Sequence, residues 1–329
     1  GEYYINSSPI IVRTAGCSIS NRVDVLGSSS MHFSRYYLVT LHVCAPRTRS
    51  ERAAKLGLSD LYAMPTGMPG ARGHDHALLC GSGPSAGLVD SDAAASLHTH
   101  TDVWASNQFF VHDALTPRFY HAEFKPHTLS FWRRHFTSAR FVNTTFIVDD
   151  SHEEVLTYLK SMVPKLVVYR SNYVEWRAKQ RCREVDGLYI PRQCSRLRKS
   201  CTASTTLILH LMALFEYRTV YIIGVDLAQP GHFWTNQSKY SPAIASYQPQ
   251  VTTRVAYGPD VHSTHARGVH IFIQSFLAFN RIGAINLSPA SARIMPRIPP
   301  MTVESLVATL RRAAPTPAGR TQNALREPP

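Results

Sequence analysis

A chain of 329 residues that is 44% hydrophobic and only 17% charged carries enough apolar material for one sizeable core, which excludes an intrinsically disordered polymer. It contains no run of about 18 apolar residues, which excludes a membrane-spanning helix within this span. The formal net charge of +13, with 16 histidines besides, favours anionic partners such as nucleotides, sugar acids, acidic glycans, membrane headgroups or nucleic acid without choosing among them.

The chain opens on Gly rather than Met, so it reads as a fragment or a processed form. None of Cys17, Cys44, Cys80, Cys182, Cys194 and Cys201 forms a C-x-x-C pair, so a structural zinc site is not expected. Cys182, Cys194 and Cys201 lie close enough in sequence for one disulfide. N-x-S/T sequons at Asn6, Asn143, Asn236 and Asn286 are weak support for secretion, since such triplets arise by chance. The compartment stays open between a membrane-associated cytoplasmic face and a secretory lumen.

Residues 1–73 read as an N-terminal extension of uncertain fold, with one strand at Leu38–Val43 and a Pro/Gly-rich linker at Pro65–Gly73. From residue 74 strands and helices alternate, which indicates a parallel sheet. Ala77–Cys80 is an apolar run closed by Gly81-Ser82-Gly83-Pro84-Ser85, and Leu88–Leu97 has helix-compatible composition. Asp102–Ala105 is a second strand, ending at Ser106-Asn107-Gln108, and Phe119-Tyr120 marks a third. Thr144–Val148 is a strand before Asp149-Asp150, and Ser151–Met162 is a helix with Ser151 at its N-cap and Glu154 three residues on. Lys165–Tyr169 is another strand. Residues 176–199 carry eight Lys/Arg and read as a long loop.

Ser204–Phe215 then reads as an apolar helix capped by Ser204 or Thr205, and Thr219–Gly224 as the strongest strand, closing with Gly224-Val225-Asp226. Residues 228–262, rich in Pro, Gly, Ser, Tyr and Gln, suit a lid-like loop. Ala266–Phe279 reads as a helix, Ala284–Leu287 as a final strand, and 313–329 as a disordered tail. The expected architecture is a Rossmann-like, mostly parallel α/β sheet flanked by helices, with one nucleotide-binding domain over 74–312.

Three strand ends carry candidate chemistry. Glycines directly after a strand let backbone amides approach a phosphate or ribose, so Gly81, Ser82 and Gly83 are candidate donor-binding residues. An ordinary tight turn is the commoner meaning of a bare Gly-x-Gly, and the missing third glycine disfavours NAD. Asn107 and Gln108 place two amides at the carboxyl edge, where each can donate and accept toward a pyrimidine or ribose. Asp226 suits a helix N-cap and a sugar hydroxyl equally well. In the cluster His262, His265 and His270 the five-residue step from His265 to His270 is poor for one helical face, so metal ligation is not expected. One His at a helix start suits a general base.

In this order and spacing the motifs over about 76–290 resemble those of the bacterial lipooligosaccharide sialyltransferases, CMP-sialic acid-dependent α-2,3- and α-2,8-enzymes. The likeness lies in Gly81–Ser85, Asp102-Val103, Ser106–Phe109, Phe119-Tyr120-His121, Ser204–Asp226 and Thr264-His265-Ala266 through Leu277. It implies a GT-A-like variant of the fold and a metal-independent, inverting transfer of sialic acid, or a related nonulosonic acid, from a CMP-activated donor to a glycan hydroxyl. Carried over by position, it makes His265 the base and gives the donor Ser82, Asn107, His121, Ser204, Thr205 and Asp226. The family's two phosphate-side tyrosines fall here on Ala228 and Trp234, so Trp234, Tyr240, Tyr257 and Arg198 become the candidate leaving-group stabilisers. No cofactor and no metal are implied. The partners implied are the CMP-sugar and a glycan acceptor, with membrane-surface association through basic residues and a homo-oligomer left open and no nucleic acid expected. The competing readings are a Rossmann-type nucleotide or pterin diphosphokinase-like enzyme and a non-catalytic binder of anionic polymers.

Overall fold

Strands that are buried on both faces read as near-continuous apolar runs, and six such strands form the middle of the sheet here. The computed structural model describes residues 51–60, 71–121, 129–150, 152–169, 171–172, 197–198, 204–226, 232–234, 269–270, 272–278 and 280–313. The expected strand at 38–43, Cys182, Cys194, Cys201, most of 228–262 and the tail from 314 lie outside them. The strands are β1 (Ser59–Asp60), β2 (His76–Cys80), β3 (Asp102–Ser106), β4 (Phe119–His121), β5 (Thr145–Asp149), β6 (Lys165–Tyr169), β9 (Thr219–Ile223) and β10 (Gly283–Asn286). They form one sheet in the order β1-β6-β5-β4-β3-β2-β9-β10, every pair parallel. Between β6 and β9, β7 (Ser171–Asn172) and β8 (Leu197–Arg198) pair with each other alone.

The fold is the α/β parallel sheet expected from the sequence. Three details differ. Ser59–Asp60 pairs with Val167–Val168 as the edge strand, so the segment assigned to an extension ending at 73 contributes to the sheet. The first helix after the glycine loop is α2 (Ser91–His100), capped by Asp90, and it is preceded by a 3₁₀ turn at Pro84–Leu88. Proline after Gly83 fixes φ without a usable N–H, which suits the start of that tight turn. The helix expected from Ser151 is α4 (Glu153–Met162), with His152 at its N-cap position; Ser151 lies outside the described residues.

Alternation of side chains along each strand divides the core into two layers. Leu78, Cys80, Val103, Ala105, Tyr120, Phe146, Val148 and Ile223 face one layer. It is covered by α1 (Glu51–Lys55), α2, α3 (Leu129–Phe136), α4 and α7 (Val303–Ala313). Ala77, Leu79, Trp104, Phe119, Ile147, Val220 and Ile222 face the other, covered by α5 (Ser204–Leu214) and α6 (269–270 and 272–278). Helix α5 is apolar around its circumference, and its residues 206–214 are all buried.

At the amino edge a buried polar knot ties these layers together. Asp102, with no exposed surface, accepts from Gly73 N (2.8 Å) and Tyr217 Oη (2.8 Å), while Trp104 Nε1 donates to Tyr217 Oη (3.0 Å). Arg118 Nε lies 3.3 Å from Asp102 Oδ1. Burial, then the Asp102 charge, raises the Tyr217 phenol well above its ordinary value, so it stays a donor. Tyr217→Phe leaves the carboxylate and the indole N–H each one partner short. It is expected to lower unfolding free energy by about 1–3 kcal/mol, read by chemical denaturation.

Candidate functional site

Chain order and strand order fix where a ligand can enter. From β2 the chain builds outward through β3, β4, β5 and β6, then returns to lay β9 on the other side of β2. The order reverses between β2 and β9, and in open α/β sheets the crevice outside the carboxyl ends at such a switch point is where ligands bind. The loop after β2 is Gly81–Ser85 and the loop after β9 is Gly224-Val225-Asp226, the first and third motifs singled out from the sequence.

These two loops lock into each other. Gly81 N donates to Ile223 O (2.8 Å), Gly83 N to Gly224 O (2.7 Å) and Ser85 N to Asp226 Oδ2 (2.6 Å). Gly224 is left-handed (φ +69°), and a Cβ on Gly81 would run into its carbonyl. The glycines therefore serve the contact between loops. This corrects the expectation that the loop aims its amides at a phosphate: the N–H groups of Gly81, Gly83 and Ser85 are committed inside the protein. Asp226 caps the 3₁₀ turn from the neighbouring strand, which is the helix-cap alternative read from its sequence. The Ser85 hydroxyl completes the joint by accepting from Gly224 N (2.9 Å) and pairing with Ser288 Oγ (2.8 Å).

Of the other expected residues, Asn107, His121 and Ser204 lie at the same edge. Asn107 follows β3 in a left-handed conformation (φ +50°), which asparagine tolerates better than most residues. Its carbonyl accepts from Tyr120 Oη, and its Nδ2 donates to Ser204 Oγ (2.9 Å). Ser204 and the half-buried Thr205 begin α5, so a helix N-terminus, a region of positive partial charge, abuts the end of β3. Gln108 lies in the 3₁₀ turn Asn107–Val111. His121, at the end of β4, is 2% exposed and bonds Tyr169 Oη at the end of β6 (2.9 Å), a buried pair rather than an open one. Trp234 is half-buried against the core. Arg198 lies in β8, apart from the main sheet. His265, Tyr240 and Tyr257 lie outside the described residues.

No protein-family model matches the sequence, and no curated protein matches it. Among solved structures, it is similar to sialyltransferase CstII from Campylobacter jejuni in complex with the substrate analogue CMP-3FNeuAc (13% identity, TM-score 0.39, covering 70% of this chain and 88% of that one). Similar values relate it to the monofunctional α-2,3-sialyltransferase Cst-I (12%, TM-score 0.41, 70% and 82%) and to an α-2,3-sialyltransferase in apo form (11%, TM-score 0.40, 70% and 82%), both from Campylobacter jejuni. At such values the similarity does not bear on chemistry, and the site stands on its own geometry.

Three residues at this edge were not singled out from the sequence. Tyr169 pairs with His121, and Ser288 joins β10 to the glycine loop. His232 contacts that loop, with Nδ1 3.3 Å from Ser82 O, and stacks on Trp234 (4.3 Å, 15°). An aromatic His-Phe-Trp run inside a Pro/Gly-rich segment was the available signal. The Asn286 sequon, by contrast, is structural: the side chain is 1% exposed and bonds Ser288 N and Ser291 Oγ.

His270 sits on α6, fully buried near Val225 and Asp226. Burial lowers its pKa from 6.5 to about 4, against the opposing pull of the Val225 backbone and Asp226. A folded value below the unfolded one means the unfolded chain binds the proton more readily. This contribution is therefore intact above pH 6.5 and is lost as pH falls toward about 4. Half-buried His98 and His76 act in the same direction. The denaturation midpoint is expected to fall across that window, and less steeply in His270→Gln. Ser85→Ala, which leaves Gly224 N unpaired, is expected to cost about 1–3 kcal/mol at neutral pH by the same measurement.

Proposed function

We propose that this protein is a sialyltransferase-like glycosyltransferase that moves sialic acid, or a related nonulosonic acid, from a CMP-activated donor to a glycan hydroxyl. The observation that supports it best is the convergence of the Gly81–Ser85 loop, Asp226, Asn107 and the N-terminus of α5 at one switch-point edge. These were the residues set apart by motif order in the sequence. In this reading Asn107 and Ser204 face the nucleotide, and Asp226 holds the loop that contacts it. The α5 N-terminus lies toward the donor's carboxylate or phosphate.

The reaction is a single inverting displacement. His265 takes the proton from the acceptor hydroxyl as its oxygen bonds the anomeric carbon. The bond from that carbon to the phosphate oxygen breaks, and its electron pair leaves with CMP. No metal is required in this scheme.

The test is CMP release from CMP-sialic acid in the presence of EDTA. Wild type is expected to turn over, and His265→Ala to lose about 10²–10⁴-fold, the range for a general base. Undiminished activity in that variant would remove the role given to His265. A thermal-shift screen with CMP, CDP, UDP and ATP is expected to favour CMP. Preferential stabilisation by ATP with Mg²⁺ would instead favour a diphosphokinase-like enzyme.

A further inference from the structure

The locked joint leaves a requirement unmet. A nucleoside monophosphate brings a phosphate to this edge, and the Gly81, Gly83 and Ser85 amides are already engaged by Ile223, Gly224 and Asp226. A phosphate beside that loop needs a cationic or donating side chain from elsewhere. Among the described side chains in contact with residues 81–85, His232 is the basic one.

We infer that His232 is a phosphate-binding residue of the nucleotide site, an assignment that rests on the nucleotide reading above. Three features of the geometry carry it. First, the segment is fastened to the loop at two points, since Phe233 N donates to the same Ser82 carbonyl (3.1 Å) that faces His232 Nδ1 (3.3 Å). Phe233 is itself buried between Phe109, His112 and Trp234. Second, the orientation of the imidazole is set. A carbonyl only accepts, so Nδ1 carries a hydrogen in the neutral and the charged form alike, and Nε2 lies on the opposite edge of the ring. A phosphate oxygen also only accepts, so its engagement at Nε2 selects the imidazolium. Third, the ring lies nearly parallel to Trp234 at 4.3 Å, and an indole face stabilises a cation stacked on it.

The titratable groups on the neighbouring elements are compatible. Asp226, on the β9 loop, is bonded to Ser85 N. His112, which packs on Phe233, is held neutral by its partners: Nδ1 accepts from Leu115 N (3.1 Å), leaving Nε2 to donate to Ala86 O (3.0 Å).

The experiment compares the affinities of CMP and cytidine by calorimetry for wild type, His232→Ala and His232→Asn. The Asn amide keeps a donor near the Nδ1 position and so preserves the tie to Ser82 while removing Nε2. Wild type is expected to prefer CMP over cytidine at neutral pH. Both variants are expected to lose about 10- to 100-fold in CMP affinity with cytidine affinity nearly unchanged, so that the preference collapses. A preference that survives in both variants overturns the assignment. Loss in Ala with full retention in Asn also overturns it, because the loop tie alone would then account for the effect. Wild type that binds neither ligand overturns the nucleotide reading, and this assignment with it.

Discussion

The carboxyl edge of the sheet is organised by one close approach, that of the β2 loop to the β9 loop. Their separation is set by Gly81 facing Gly224, with no room for a Cβ on either residue. The described loop residues around it are positioned relative to that contact. Asp226 reaches the 3₁₀ turn, and Ser85 reaches both Gly224 and Ser288. The Ser82 carbonyl is left pointing at the chain that returns as His232-Phe233-Trp234. The switch point is thus closed at its back by backbone.

This arrangement assigns different work to glycine and to side chains. In a phosphate loop of the open kind, backbone N–H groups and a helix dipole supply the attraction for an anion. Here the backbone supplies rigidity, and attraction falls to side chains and to the α5 N-terminus. A site built this way draws its ligand preference from residues on long segments outside the regular sheet. Such segments tolerate change better than strands, so the loops can vary while the frame is kept.

Much of the frame was legible because parallel strands advertise themselves. Ala77–Cys80, Asp102–Ala105, Lys165–Tyr169 and Thr219–Gly224 are short apolar runs with turn residues at their ends, and each became a strand. β1 was not legible, since two residues gain strand geometry only by pairing with β6. Helix α7 was overlooked although its Val303, Leu306, Val307 and Leu310 repeat at helical spacing and Thr302 accepts from Ser305 N at its start. At the candidate site, motif order pointed to the carboxyl edge at the switch point. It could not show that the loop amides were already bonded, because their partners lie about 140 residues away in sequence. His232 was less legible: its run with Phe233 and Trp234 is visible, but its contact with the Ser82 carbonyl comes only from the fold.

That same separation has a consequence for assembly. β2 stands between β3, which follows it directly, and β9, which follows some 140 residues later. While the chain emerges in order, β2 through β6 can pair, yet one flank of β2 stays an unfilled edge until β9 has been made. Ser288 arrives later still. One flank of β2 thus stays unpaired while some 140 further residues are made. Any fragment ending before β9 lacks both the strand that fills that flank of β2 and the loop that meets Gly81.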